Sequence, residues 1–246
     1  MLIPWDERRD IVTCENATQT IAFAAKHWLH LARSAIEKSG RFAVALSGGS
    51  TPKAIFEKLA ESPQELDWSK VWLFWSDERS ISPDDPESNY HMAMTAGFSK
   101  LPVLREHIFR MKAESHLEEH ALEYEEIIKK KLGKKLFDLV MLGVGEDGHT
   151  ASLFPETTAL AITDRLVVAN HIPQKNTWRM TFTFPCINQS TQSAIYALGS
   201  SKSQIVAQVL QAKLPSPWPA SFIGTPSHKT LWVLDNLASK DLFNNA

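Results

Sequence analysis

Apolar and polar residues follow two different periods along this chain. Residues 16–39 repeat apolar side chains at the spacing of an amphipathic helix, and Gly40 follows as a stop signal. The segment RFAVALS then predicts a short buried strand, and after the turn GGSTPK the helical period resumes at Ile55, Phe56 and Leu59. Strand, glycine turn and helix in this order are typical of an α/β fold.

The same alternation continues towards the end of the chain. A later helix is predicted from about Ser115, where Ser115 and Glu118 match a capping box, and another over roughly 201–211. The segments SISPDDPESNYHM and LPSPWPASFIGTPSHK are rich in proline and polar residues, which predicts loops. Further strands are predicted at 71–77, 137–145, 166–170, 179–185, 193–199 and 230–235.

These elements together predict the fold class. Strands that are apolar throughout and alternate with helices are typical of a parallel sheet that is covered on both faces. We therefore predict a doubly wound, mostly parallel sheet with helices on both faces. A chain of 246 residues is long enough to bury a sizeable core, and we expect one α/β domain over residues 1–246.

Composition excludes several classes of protein. The 26 basic and 28 acidic residues give no basic surface for nucleic acid, and no run of about 18 apolar residues predicts a membrane span. The two cysteines, Cys14 and Cys186, lie too far apart to suggest a disulfide framework or a zinc site. We expect a cytoplasmic protein with reduced thiols, without nucleic-acid or membrane partners, and as a monomer.

The turn GGSTPK is the first candidate for ligand binding. Gly48 and Gly49 allow a tight turn, and Ser50 or Thr51 can cap the helix whose first turn holds Pro52. Exposed amides at a helix N-terminus attract anions. The turn lacks the nucleotide P-loop and dinucleotide patterns, so we expect a small phosphorylated ligand. A plain turn with a good helix cap is the alternative.

Two polar clusters directly follow predicted strands. Asp77, Glu78 and Arg79 come after the strand at 71, and Asp147 and His149 come after the strand that starts at 137. Open α/β sheets bind ligands at the carboxyl ends of their strands. Histidine is the usual general base near neutral pH, and a carboxylate two residues away can orient it. Solvated loops are the alternative for both clusters.

Two basic residues add to these candidates. Lys202 lies in the first turn of the helix over 201–211, where its charge opposes the helix dipole, and an anionic ligand would remove that conflict. Arg179 opens the strand RMTFTFP in a comparable way. A side chain that simply extends into water is the alternative for each.

The motifs resemble those of a known family. SGGSTPK, WSDER, PDDPESNY, GEDGHTASLFP, Arg179 before MTFTFP, LGSSKSQ and LWVLD resemble, in order, the motif series of the 6-phosphogluconolactonase family over about residues 20–238. The resemblance implies the fold of the sugar-phosphate isomerase and deaminase group. It also implies hydrolysis of 6-phosphoglucono-1,5-lactone in the oxidative pentose phosphate pathway, with no metal and no organic cofactor.

The resemblance also implies roles for individual residues. His149 is expected to take a proton from the water that attacks C1 of the lactone, and Asp147 to hold the tautomer of His149. Glu146 is expected to be structural or peripheral. The expected phosphate and substrate contacts are Gly48, Gly49, Ser50, Thr51, Asp77, Arg79, Arg179 and Lys202.

Two other functions compete with this one. Glucosamine-6-phosphate deaminases resemble the chain in the glycine turn and the D-G-H turn, but they carry a glutamate five residues after the histidine, where this chain has Phe154. The second alternative is a sugar-phosphate-binding regulator without catalysis. Such a protein is expected to lack His149 or to carry a DNA-binding segment. This sequence has His149 and shows no DNA-binding segment.

Overall fold

The computed structural model describes residues 2–243, in which strands and helices alternate. The strands are β1 (Leu2–Pro4), β2 (Arg9–Cys14), β3 (Phe42–Leu46), β4 (Val71–Trp75), β5 (Asp77–Arg79), β6 (Leu139–Leu142), β7 (Val167–Ile172), β8 (Thr177–Phe182), β9 (Ser193–Ala197) and β10 (Thr230–Asp235). The α-helices are α1 (Ala17–Ser39), α2 (Ser50–Ala60), α3 (Asn89–Ala96), α4 (Leu117–Leu132), α5 (Phe184–Asn188), α6 (Ser203–Gln211) and α7 (Lys240–Phe243).

Seven strands form one large sheet in the order β1-β2-β10-β9-β6-β3-β4. Every neighbouring pair in it is parallel except β1 and β2, an edge hairpin that the sequence pattern did not predict. The central strands β3, β6 and β9 are buried along their whole length, which explains their continuous apolar sequences. The predicted doubly wound, mostly parallel sheet is therefore confirmed.

Three strands form a separate antiparallel sheet in the order β5-β8-β7. The prediction of one strand over 71–77 was wrong, because Ser76 interrupts it and joins the two sheets. The N–H of Ser76 donates to the carbonyl of Leu46 at 2.8 Å, and its carbonyl accepts from the N–H of Phe182 at 2.8 Å. The polar residues that follow Ser76 therefore belong to the small sheet.

Other predicted boundaries also need correction. The segment 179–185 is not one strand, because β8 ends at Phe182 and Thr183 caps α5, where Pro185 occupies the first turn. The strand predicted over 137–145 is confined to β6. The capping box at Ser115 does not form, because His116 adopts a left-handed conformation at the N-cap and no side chain caps α4.

Helix α3 begins within the first predicted loop, SISPDDPESNYHM, and was not predicted because proline and polar residues dominate that segment. Ser88 caps α3, its hydroxyl accepting from the N–H of His91 at 3.2 Å. The prediction for α1 is confirmed: Asn16 caps its start, and Gly40 ends it at a φ of 75°.

One continuous cluster of buried apolar side chains extends through the described residues, with Trp28, Phe42, Trp68 and Phe98 among its largest members. This continuity favours the prediction of a single domain, which stays a prediction. Between residues 2 and 243 no helix is both long enough and apolar enough to cross a bilayer.

Candidate active site

The N-terminus of α2 opens onto a cavity at the carboxyl end of β3. The expected cap by Ser50 or Thr51 is wrong. Gly49 is the N-cap, with a φ of 101° that favours glycine, and no side chain bonds to the first turn. Ser50 and Thr51 lie within that turn and line the cavity. The uncapped amides therefore keep their capacity to bind an anion.

Gly48 leaves room for a neighbouring polar side chain. A Cβ added at Gly48 would lie 1.9 Å from Oδ1 of Asn89. The amide Nδ2 of Asn89 donates to the carbonyl of Asp77 at 2.9 Å and approaches its carboxylate at 3.3 Å. Asn89 therefore links the glycine turn after β3 to the small sheet.

The charged residues of β5 separate onto two faces, because successive side chains of a strand alternate. Asp77 and Arg79 line the cavity, and Glu78 does not. The carboxylate of Asp77 is 6% exposed and accepts from the hydroxyl of Ser152 at 2.6 Å. Glu78 accepts from Ser88 and from the N–H groups of Asn89 and Tyr90, so it holds the start of α3.

Arg79 and Arg179 face each other directly across the β5–β8 pairing. Both Nε atoms are buried without a hydrogen-bond partner. Burial lowers the pKa of Arg179, and Arg79 acts in the same direction, whereas Asp77 partly opposes them. Like charges directly opposite each other in a sheet destabilise it, so this pair favours an anion between or above the two guanidinium groups.

His149 and Asp147 form a hydrogen-bonded pair at the turn after β6. Oδ1 of Asp147 lies 2.5 Å from Nδ1 of His149. Burial would raise the pKa of Asp147, but the hydrogen bond and the charge of His149 outweigh it and lower that pKa. An ionised carboxylate only accepts hydrogen bonds, so in the neutral imidazole Nδ1 carries the proton and Nε2 has a free lone pair.

Packing fixes the plane of the His149 ring. The ring of Phe154 stacks on it, with centroids 3.9 Å apart and an interplanar angle of 16°. A Cβ at Gly145 would lie 2.0 Å from Nδ1 of His149, so only glycine fits there. Lys175 approaches the same Phe154 ring, its Nζ 5.4 Å from the centroid. The imidazole is therefore held on several sides.

The loop over 213–229, to which the sequence assigned no role, supports this turn. The N–H of Ala220 donates to the carbonyl of Gly148 at 2.9 Å. Gly148 has a φ of 75°, and a Cβ there would meet Trp218 at 2.9 Å. Ala220 and Trp218 thereby keep the D-G-H segment in place.

One cavity of about 260 Å³ collects nearly all of the predicted site residues. Asp147 does not line the cavity but is hydrogen-bonded to His149, which does. Glu146 is exposed and lies outside the cavity. Lys202 lies in a short 3-10 turn just before α6 and lines the cavity. The predicted residues in the wall are Gly48, Gly49, Ser50, Thr51, Asp77, Arg79, His149, Arg179 and Lys202.

Five polar wall residues were not among the predicted site residues: Ser47, Asn89, Ser152, Lys175 and Tyr196. Ser47 opens the motif SGGSTPK. Asn89 and Ser152 stand inside the motifs PDDPESNY and GEDGHTASLFP, but neither has a spacing that signals chemistry. Lys175 and Tyr196 carry no local signal. Within residues 2–243 no cluster of three or more histidine, cysteine or acidic side chains is arranged to hold a metal.

The site therefore belongs to an α/β protein that can bind an anion. An uncapped helix N-terminus and an oriented histidine lie at the carboxyl edge of its parallel sheet, and two opposed arginines lie on the small sheet. The family model for glucosamine-6-phosphate isomerases/6-phosphogluconolactonase matches residues 15–232. The chain therefore belongs to the glucosamine-6-phosphate isomerase/6-phosphogluconolactonase family.

Individual relatives agree with the family match. A curated 6-phosphogluconolactonase from Chlamydia muridarum is 38% identical over 236 residues, which cover 96% of this chain and 91% of the relative. The crystal structure of 6-phosphogluconolactonase from Thermotoga maritima has a TM-score of 0.80 at 28% identity, and the match covers 92% of this chain and 98% of that one. A monomeric glucosamine-6-phosphate deaminase shares the fold, with a TM-score of 0.81 at 19% identity over 94% of this chain and 99% of its own.

Proposed function

We propose that this protein hydrolyses 6-phospho-D-glucono-1,5-lactone to 6-phospho-D-gluconate in the oxidative pentose phosphate pathway. The observation that carries the proposal is the composition of one cavity. The cavity contains a histidine whose Nε2 is free. It also contains two groups that can bind an anion: the start of α2 with Lys202 on the large-sheet side, and the two arginines on the small-sheet side. The predicted class of enzyme, a 6-phosphogluconolactonase, is confirmed by the relatives that match nearly the whole chain.

The phosphate group is the part of the substrate for which the cavity offers most. Arg79 and Arg179 supply paired guanidinium groups, Lys202 supplies an ammonium group, and the amides after Gly49 supply neutral donors. Hydrogen bonds between charged groups and phosphate are among the strongest in proteins. We infer that the phosphate is held by these groups and that the lactone ring extends towards His149.

The hydrolysis step needs one general base. Nε2 of His149 removes a proton from water as the water oxygen bonds to C1, and the carbonyl oxygen takes the negative charge. When the tetrahedral intermediate collapses, the bond from C1 to the ring oxygen breaks, and the imidazolium returns the proton to that oxygen. The products are the free carboxylic acid and the ring-opened hydroxyl, and no covalent enzyme intermediate is needed.

Asp147 acts through His149. Its carboxylate accepts a hydrogen bond from Nδ1–H of His149 at 2.5 Å. This hydrogen bond directs Nε2 towards the cavity and stabilises the imidazolium. The arginines and the backbone amides at the cavity wall are suited to stabilise the charge on the carbonyl oxygen.

The deaminase alternative is disfavoured by Phe154. Its side chain is 2% exposed and stacks on His149, and it has no proton to exchange at the position where the deaminases have a glutamate. The chain therefore lacks the second acid/base group that the sequence comparison associates with ring opening and ammonia release.

The test is an assay on lactone generated immediately before use, with the spontaneous rate of hydrolysis subtracted. We expect the protein to accelerate lactone opening and to release no ammonia from glucosamine-6-phosphate. Binding of 6-phosphogluconate without acceleration would favour the non-catalytic alternative. Cytoplasmic location, the monomeric state and the absence of nucleic-acid partners stay predictions from the sequence.

A further inference from the structure

Tyr196 lines the cavity, and its hydroxyl is buried without a hydrogen-bond partner. In the described part of the chain, nine buried side-chain nitrogen or oxygen atoms have no hydrogen-bond partner. Three of them belong to residues that line the cavity: Nε of Arg79, Nε of Arg179 and the hydroxyl of Tyr196. The arginines are already explained by an anionic ligand, but neither the sequence motifs nor the proposed mechanism uses Tyr196.

The position of Tyr196 in the sheet brings it next to the catalytic turn. Tyr196 lies in β9, which is flanked by β6 and β10. The preceding Ile195 pairs with Leu142, the last residue of β6, so Tyr196 comes level with Gly143 where the turn to His149 begins. A Cβ added at Gly143 would meet nothing within 4 Å, so there is open space above this point of the wall.

The environment of Tyr196 makes its hydroxyl a hydrogen-bond donor. The side chain is 3% exposed, and burial raises the pKa of the phenol, so the hydroxyl carries its proton at neutral pH. A buried hydroxyl without a partner destabilises the protein, because the hydrogen bond it makes to water in the unfolded chain is lost. Such a group is retained in a wall where a ligand supplies the acceptor.

Tyr124 provides an internal comparison, because it is equally buried at 2% exposure. Its hydroxyl accepts from the N–H of Trp75 at 2.9 Å and donates to the carbonyl of Phe109 at 2.8 Å. The protein therefore satisfies one buried tyrosine completely and leaves the other, at the cavity, unsatisfied.

We propose that Tyr196 is a specificity residue whose hydroxyl donates a hydrogen bond to an oxygen of the bound sugar phosphate. The proposal rests on the proposed function, because it takes the cavity to be the sugar-phosphate site. The acceptor is an oxygen of the phosphate group or of the sugar chain, and both are oxygen acceptors of the same ligand. The bond forms with the ligand in place and relieves the unsatisfied hydroxyl.

The test compares Tyr196→Phe with Tyr124→Phe, since each substitution removes one oxygen and keeps the ring. For Tyr196→Phe we expect the Kd of 6-phosphogluconate and the KM of the lactone to rise about five- to tenfold, with kcat nearly unchanged. The Tm of the ligand-free protein is expected to stay equal or rise. For Tyr124→Phe we expect the Tm to fall and the Kd to stay unchanged, because that hydroxyl has structural partners.

Inorganic phosphate as a second probe distinguishes the two acceptors. Weaker binding of both probes by Tyr196→Phe supports a bond to phosphate, and weaker binding of 6-phosphogluconate alone supports a bond to the sugar chain. Equal Kd and KM for wild type and Tyr196→Phe would overturn the proposal for Tyr196 only. Failure of the wild type to bind either probe or to accelerate lactone hydrolysis would overturn the proposed function, and this proposal with it.

Discussion

The two walls of the cavity come from two different sheets. The large-sheet wall consists of the turns after β3, β6 and β9, with Gly48–Thr51, His149 and Lys202. The small-sheet wall consists of Asp77, Arg79 and Arg179 on β5 and β8. The first wall uses backbone amides and one oriented imidazole, whereas the second uses side-chain charges that face each other.

This difference separates two tasks. Turns at the ends of buried parallel strands are held by the sheet beneath them, which suits groups whose direction matters, such as Nε2 of His149. The opposed arginines of the small sheet are balanced only in part by Asp77 and Glu87, so a bound anion stabilises both of them, which suits binding. We therefore expect substitutions in the first wall at His149 to lower kcat, and substitutions in the second wall to raise KM.

The largest expected effect is at the base. His149→Ala should lower kcat about a hundredfold to ten-thousandfold with little change in KM, because general base catalysis is lost while the phosphate contacts remain. The measurement is the rate of lactone hydrolysis above the spontaneous rate. His30→Ala, on the exposed side of α1, is the control with unchanged kcat. A near wild-type kcat in His149→Ala would remove His149 as the base.

The arginine pair should give a large effect on binding. Arg179→Met keeps the aliphatic bulk and removes the charge, and we expect KM to rise about tenfold to a hundredfold, since a hydrogen bond to a charged group contributes about 1.5–3 kcal/mol. The Tm of the ligand-free protein should not fall, because the substitution removes the cost of burying the guanidinium, which together with repulsion from Arg79 outweighs the attraction of Asp77.

Arg79→Met offers the reciprocal test of this pair. In the double variant, the change in binding free energy derived from KM should differ from the sum of the changes in the two single variants, because both residues contact one anion. Additive effects, or an unchanged KM in either variant, would contradict a shared phosphate site.

The carboxylate of Asp147 should have an intermediate effect. For Asp147→Asn we expect kcat to fall about tenfold, because the amide holds Nδ1–H less firmly, and the 45% exposure of Asp147 limits the loss. The control is Glu146→Gln on the neighbouring exposed carboxyl, with unchanged kcat. Equal rates for wild type and Asp147→Asn would separate Asp147 from catalysis.

The pH dependence follows from the lowered pKa of Asp147. A carboxyl whose pKa is lower in the folded protein stabilises it above the unfolded pKa, and this stabilisation is lost as the pH falls through the folded pKa. Asp147→Asn should therefore lose stability relative to wild type at neutral pH and approach wild type in acid. Thermal melts across this pH range measure the difference, and an equal gap at every pH would contradict it.

The smallest expected effect concerns the contact between Gly48 and Asn89, which joins the two walls. Gly48→Ala places a Cβ 1.9 Å from Oδ1 of Asn89, which must move, so we expect KM to rise about threefold and the Tm to fall. Asn89→Ala in the same chain removes the clash and should recover the Tm in part. Wild-type KM and Tm in Gly48→Ala would show that Asn89 does not link the walls.

Much of the first wall could be predicted from the sequence. Glycine turns after continuous apolar strands predicted where Gly48–Thr51 and His149 would lie, because parallel strands bring their carboxyl ends to one edge. The two-residue spacing of Asp147 and His149 allowed their side chains to meet, and the structure shows the hydrogen bond between them, whereas their catalytic roles stay a prediction. The helix cap was wrongly predicted at Ser50 or Thr51, because the choice between three adjacent residues depends on the φ of Gly49.

The second wall could not be predicted in the same way. The sequence predicted Asp77–Arg79 as a polar cluster at the end of one strand and 179–185 as another strand, and nothing local indicates that Arg79 and Arg179 pair antiparallel. Asn89 and Ser152 have no spacing signal, because their hydrogen bonds to Asp77 join residues 12 and 75 positions apart, and Tyr196 has no local signal because only folding brings β9 to the cavity.

The sequence by itself determined the fold class, the family, the strand ends whose turns line the cavity and the choice of His149 as the candidate base. These features depend on the local periodicity of apolar residues, on turn residues and on short motifs, each of which lies within a short segment of the sequence. Only the tertiary structure decided that two arginines a hundred positions apart face each other, that Phe154 stacks on His149, and that Tyr196 has no partner. Those facts depend on which surfaces meet after folding, because pairing and burial are properties of the packed chain.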